Sequence, residues 1–111
     1  MNELSLSVTE TDGRLVIAVS GDLDITYSDH LVALTAARVP GDARTIVDLT
    51  GLTFLDSAGL GALLQLWKRL QRGGGDMILV GATFRNARPL WFTGLADRLP
   101  RTDTVEEALE R

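Results

Sequence analysis

The feature that most constrains this chain lies at its centre. Leu60, Leu63, Leu64, Trp67 and Leu70 recur at i, i+3, i+4, i+7 and i+10, with Lys68, Arg69, Gln71 and Arg72 between or after them. That is the pattern of a helix that buries one face. Before it runs Thr45-Ile46-Val47-Asp48-Leu49, short and β-branched. After it runs Met77-Ile78-Leu79-Val80, wholly apolar. Both read as strands buried inside a sheet. A helix joining two such strands makes a crossover connection, so the two strands are parallel. Thr50-Gly51 is expected to interrupt the first strand, with a second stretch at Thr53-Phe54-Leu55, and Gly73-Gly74-Gly75 to close the helix with a left-handed cap.

The flanks extend this unit. Leu4, Leu6 and Val8 alternate with polar residues, and Asp12-Gly13 separates them from Arg14-Leu15-Val16-Ile17-Ala18-Val19. This predicts an antiparallel hairpin, since Asp-Gly accepts the positive dihedrals of a tight turn. After Gly21-Asp22-Leu23-Asp24, a helix is expected over Ser28 to Val39, capped by Thr26 or Ser28 and ended by Pro40-Gly41. Pro89 suits the first turn of a short helix closed by Gly94. Thr104-Val105-Glu106-Glu107 has capping-box spacing, and the helix it opens runs through Leu109. The order is strand, strand, helix, strand, helix, strand, helix, helix. The fold class is therefore α/β: a mixed, mostly parallel sheet of four to five strands, with an N-terminal antiparallel hairpin and about four helices packed on it. With 111 residues, 45% of them hydrophobic, the chain is expected to form a single domain over 1–111.

Composition excludes several functions. There is no cysteine, so disulfides, thiol catalysis and thiolate metal sites are absent. The net charge is −4, and no Lys/Arg run is long enough to follow a phosphate backbone, which argues against nucleic acid. The start, Met1-Asn2-Glu3-Leu4-Ser5, has neither a cationic region nor a long apolar core, and no stretch approaches the ~18 apolar residues of a membrane span. The expectation is a cytoplasmic protein without membrane insertion. Charge is uneven: residues 1–56 carry a balance of −6 and residues 57–111 one of +2. Shared on one face, the acids of the first half would suit a partner that is basic there; the ordinary reading is solvated loops.

Catalytic chemistry lacks its groups. His30 is the only histidine and no Gly-x-Ser-x-Gly elbow accompanies it, so a serine nucleophile would have no base. Asp22, Asp24, Asp48 and Asp56 match neither a Ca²⁺ loop nor a phosphate-binding entry and read as solvated or capping carboxylates. No glycine-rich nucleotide fingerprint occurs. The chain is read as a non-enzyme, with no catalytic residue, no metal and no cofactor.

Asp56-Ser57-Ala58-Gly59-Leu60-Gly61 is the unusual segment. In the plain reading Asp56 or Ser57 caps the helix. If Asp56 is the cap, Ser57 stands at the first helical position with an uncommitted hydroxyl that another protein could modify. Gly59 and Gly61 each cost ~1 kcal/mol relative to alanine in a helix, and bare backbone there would let a partner approach closely. A helix N-terminus also accepts a phosphate's charge without unfolding.

These residues resemble the stand-alone STAS domain family, in particular the anti-sigma-factor antagonists of bacterial partner switching. The resemblance rests on Gly21-Asp22-Leu23-Asp24, on the run from Ile46 to Gly61, on Thr93-Gly94-Leu95 and on Val105-Glu106-Glu107-Ala108-Leu109. It implies a phosphoacceptor at Ser57 and partner-binding residues at Asp22, Asp24, Asp56, Ser57, Ala58, Gly59 and Gly61. It also implies an anti-sigma factor with serine kinase activity as partner, bound by the unphosphorylated form so that the sigma factor is freed. A phosphatase would act on the phosphorylated form. Asp22 stands where glutamate is commoner in the family, and Ala58 replaces a second hydroxyl, leaving Ser57 as the single acceptor of the motif. A different role resembles other STAS proteins: a small subunit docking on a transporter ATPase without phosphate turnover. Trp67 is read as core, and one of Trp91 and Phe92 could stand exposed on a second binding surface.

Overall fold

The computed structural model describes residues 2–111. Five strands form one sheet in chain order: β1 (Ser5–Thr11), β2 (Arg14–Leu23), β3 (Arg44–Leu55), β4 (Asp76–Val80) and β5 (Arg101–Thr102). β1 pairs antiparallel with β2, and every other pair is parallel. The helices are α1 (Ser28–Arg38), α2 (Ser57–Gly73), α3 (Arg88–Phe92) and α4 (Val105–Leu109), with a 3₁₀ turn at Leu95–Asp97. This is the expected mixed sheet with its hairpin and four helices.

Local chemistry accounts for the elements. Asp12 and Gly13 both have positive φ, 52° and 79°, as a two-residue hairpin turn of matching twist requires. β4 is buried on both faces: Met77 and Leu79 enter the main core under α1 and α2, whereas Ile78 and Val80 meet Ile46 and Ala108 on the opposite face under α4. α2 buries Leu60, Leu63, Leu66 and Leu70 and ends at Gly74, whose φ of 87° forms the left-handed cap. Trp67 packs half-buried at the edge of that stripe. Thr104 caps α4 by accepting from the Glu107 amide at 3.2 Å, and its hydroxyl donates to the Glu107 carboxylate at 3.1 Å.

Three sequence expectations are corrected. Thr50-Gly51 does not interrupt β3; the strand runs on through bulges, with extra β3 residues opposite Ala18–Ser20 and Gly21–Asp22. Asp48 absorbs the irregularity by accepting from both the Thr50 amide and hydroxyl. β5, absent from the expected order, is two residues long and too short for any period to show. Neither Thr26 nor Ser28 caps α1: Tyr27 occupies that place without a side-chain bond, and Ser28 is buried as the first helical residue. A further core feature is Arg14, buried against Asp76 at 3.0 Å and donating to the Arg111 carbonyl at 2.7 Å.

Candidate functional site

The end of β3 overhangs the sheet. β4 leaves it at Asp48, opposite Val80, and beyond that point β3 continues with β2 alone, up to Leu23 opposite Leu55. The two segments that follow, Asp24–Tyr27 and Asp56-Ser57, therefore leave side by side.

Asp56 ties them together. Its backbone is extended, the geometry of a residue just outside a helix. One carboxylate oxygen accepts from the Gly59 amide at 2.9 Å and the other from the Ile25 amide at 2.9 Å. Its carbonyl accepts the first helical bond, from Leu60, at 2.9 Å. With Asp56 as cap, Ser57 is the first residue of α2; it is exposed, and its hydroxyl bonds to no other described residue. The structure thus presents an open hydroxyl at the start of a 17-residue helix, where the unpaired amides and the macrodipole favour added negative charge.

The glycines of the segment differ. Gly59 is buried, and a methyl group on it would lie 2.0 Å from the Leu23 carbonyl oxygen. Its bareness serves the packing of α2 on the end of β2. Gly61 is exposed, and a methyl there would meet nothing within 4 Å. No internal contact accounts for that glycine. Ala58 and Gly61 line the mouth of a groove between α1 and α2, opposite Ser28 and Asp29.

Asp22 and Asp24 sit on the same ribbon end, each only 6% exposed. Asp22 accepts from the Thr53 hydroxyl at 2.7 Å and the Asn2 amide at 3.0 Å. These bonds, Thr53 foremost, outweigh desolvation and hold its carboxyl below the ordinary 3.8. Asp24 accepts from the Thr26 and Tyr27 amides at 3.0 and 3.2 Å, and so builds the turn into α1. Both carboxylates face inward, so any contact they serve is through the shape of the loop they hold. What that loop presents outward is Ile25, 75% exposed and anchored by Asp56. The sequence reading missed Ile25; the available signal was one large apolar residue between Asp24 and Thr26.

Among the described residues, no group of three His, Asp or Glu side chains is placed to hold a metal ion. Asp22, Asp24, Asp48 and Asp56 each bind separate amides or hydroxyls. His30 is exposed and meets the Tyr27 ring edge to face, with ring centres 5.6 Å apart. Among the described residues, no helix is long and apolar enough to cross a membrane.

Comparison with known proteins places this geometry. The STAS domain model matches residues 5–108. The anti-sigma-B factor antagonist of Staphylococcus aureus (strain NCTC 8325 / PS 47) is 30% identical over 104 residues, which span 93% of this chain and 96% of that protein. The crystal structure of an anti-sigma factor antagonist from Mycobacterium paratuberculosis superposes with a TM-score of 0.85 at 28% identity, over 97% of this chain and 92% of that one. The Bacillus cell fate determinant SpoIIAA, solved in its phosphorylated form, superposes with a TM-score of 0.73 at 25% identity, over 96% of this chain and 98% of that one.

Proposed function

The chain belongs to the STAS domain family, and from that premise we propose that it is an anti-sigma-factor antagonist switched by phosphorylation of Ser57. The unphosphorylated protein binds an anti-sigma factor that has serine kinase activity and so releases the sigma factor. Phosphate on Ser57 ends the binding, and a phosphatase restores it. The role is regulatory binding in the cytoplasm, not catalysis. One observation carries the reading: the Ser57 hydroxyl is exposed and unbonded at the start of α2, while Asp56 takes over the capping. Two relatives support it, one named as an anti-sigma-B factor antagonist and one solved in a phosphorylated form.

The mechanism follows from charge. Phosphoserine adds about −1.5 to −2 at pH 7, beside Asp56 and within a half of the chain that already carries −6. The helix start tolerates that charge, so the domain stays folded. A partner surface fitted to a neutral hydroxyl would have to desolvate an unpaired anion, and each ~1.4 kcal/mol of that penalty is tenfold in affinity. Ile25 and Gly61 supply the contact around the hydroxyl: an apolar anchor and bare backbone that allows close approach.

The test is incubation with the cognate anti-sigma kinase and ATP, read by mass spectrometry. One phosphate on Ser57 is expected, and Ser57→Ala should take none while still binding. Phosphate on another residue would overturn the assignment, as would recovery of transporter subunits and no kinase from the source cell.

A further inference from the structure

Among the described residues four large hydrophobic side chains stand exposed, and three of them gather in one place. Phe54 and Phe84 are each 51% exposed and Phe92 is 74% exposed; the fourth, Ile25, belongs to the Ser57 face. Phe84 and Phe92 meet edge to face with ring centres 5.4 Å apart. Phe54 lines a cleft of about 300 Å³ with Leu55, Arg85, Asn86 and Arg88. The Arg88 guanidinium lies 5.6 Å over the Phe84 ring. Arg88 thus joins the Phe54 cleft to the Phe84–Phe92 pair, with Arg85 on the same cleft, and the three rings and two arginines form one strip. Singly exposed hydrophobics are ordinary, but a contiguous set is a feature of interaction surfaces, and aromatic residues with arginine are the types enriched there.

The charge of the strip opposes that of the chain. Between Asp76 and Asp97 there is no acid, and Arg85 and Arg88 are the only charged residues. Among the described residues the ion pairs involve Arg14, Arg44 and Arg101, not these two. The loop that bears them is held in advance. The Asn86 side-chain oxygen accepts from the Thr83 amide and hydroxyl at 2.8 and 3.0 Å, and its nitrogen donates to the Leu49 and Gly81 carbonyls at 3.1 and 3.2 Å. A ligand would not have to order this loop on binding.

We propose that this strip is a second docking surface, distinct from Ser57, which takes an acidic segment of a protein partner that carries apolar side chains between its carboxylates. The carboxylates pair with Arg85 and Arg88, and the apolar side chains cover Phe54, Phe84 and Phe92. A compact phosphate ligand fits less well, because the apolar surface around the arginines would stay uncovered.

The probe is a capped peptide, Glu-Leu-Glu-Phe-Asp-Leu-Glu, titrated into the ¹⁵N-labelled full chain and followed by NMR. Saturable shifts are expected at Phe54 and across residues 83–92. Replacing each acid of the peptide by lysine should abolish them. An Arg85→Glu/Arg88→Glu double variant should bind about tenfold or more weakly. Both side chains are exposed, so the variant's spectrum elsewhere should match that of the parent and report an intact fold. A Ser57→Asp variant should still show the saturable shifts across residues 83–92. That arm separates this surface from the phosphorylation switch, whose failure would leave these shifts unchanged. Overturning results are no saturable shift, equal binding of the lysine peptide, or shifts confined to residues around Ser57. Inorganic phosphate or phosphatidylglycerol vesicles shifting residues 83–92 without any response to the peptide would also overturn it, assigning the arginines to phosphate.

Discussion

The loop of Asp22 and Asp24 and the start of α2 at Asp56-Ser57 lie side by side at the end of the β2–β3 ribbon. Both are acidic. In the loop, the carboxylates are buried and consumed by Thr53, Asn2, Thr26 and Tyr27. At the helix start, Asp56 is likewise consumed by Gly59 and Ile25, but what it leaves over is an open hydroxyl. A polar residue becomes available to a partner only when neighbours have already satisfied the backbone around it. Three carboxylates hold the scaffold, and one hydroxyl is left exposed beside them.

The glycines give the largest test of this division. Gly59→Ala forces a methyl against the Leu23 carbonyl and should destabilise the protein by about 3 kcal/mol, read as a lower urea midpoint. Gly61→Ala enters open space and should be neutral or stabilise by up to about 1 kcal/mol, while weakening partner binding through loss of close approach. Equal stability effects at the two positions would erase the distinction.

Next in size is the contrast of Asp24 with Ser57. Asp24→Ala strips the acceptor from the Thr26 and Tyr27 amides and should cost about 2 kcal/mol. Ser57→Ala, at an exposed position without a side-chain bond, should change stability by less than about 0.5 kcal/mol. Thermal unfolding of the pair, with binding measured in parallel, separates a carboxylate that holds the fold from a hydroxyl that does not.

The smallest effect concerns acid. The Asp22 carboxyl is held below 3.8 in the folded protein, chiefly by the Thr53 hydroxyl. Its contribution to stability is therefore complete above its unfolded value and is lost as pH falls through the lowered folded one. Urea midpoints followed downward from neutral pH should drop more steeply below about pH 4 in the parent than in Asp22→Asn. Parallel curves would remove Asp22 from the scaffold.

Legibility from sequence divides along physical lines. The hairpin, α2 and the Thr104 cap were readable because Asp12-Gly13, the leucine spacing and Thr104-x-x-Glu107 act within a few residues of one another. So was the Asp56-Ser57 start, where the cap and the first helical residue are adjacent. The roles of Asp22 and Gly59 were not, because Thr53 and the Leu23 carbonyl reach them only through the β2–β3 register. Nor was the continuity of β3, since Thr50-Gly51 reads as a break unless Asp48 is seen to bond back onto it. β5 has no pattern to read, and Ile25 acquires meaning only when Asp56 is found holding its amide.

The central claim is tested most directly by the affinity of the anti-sigma kinase for this protein with and without phosphate on Ser57, measured by calorimetry on homogeneous preparations of each. The account predicts that the phosphorylated protein, folded as before by circular dichroism, binds at least about a hundredfold more weakly, a penalty of roughly 3 kcal/mol. Equal affinity of the two forms would contradict it.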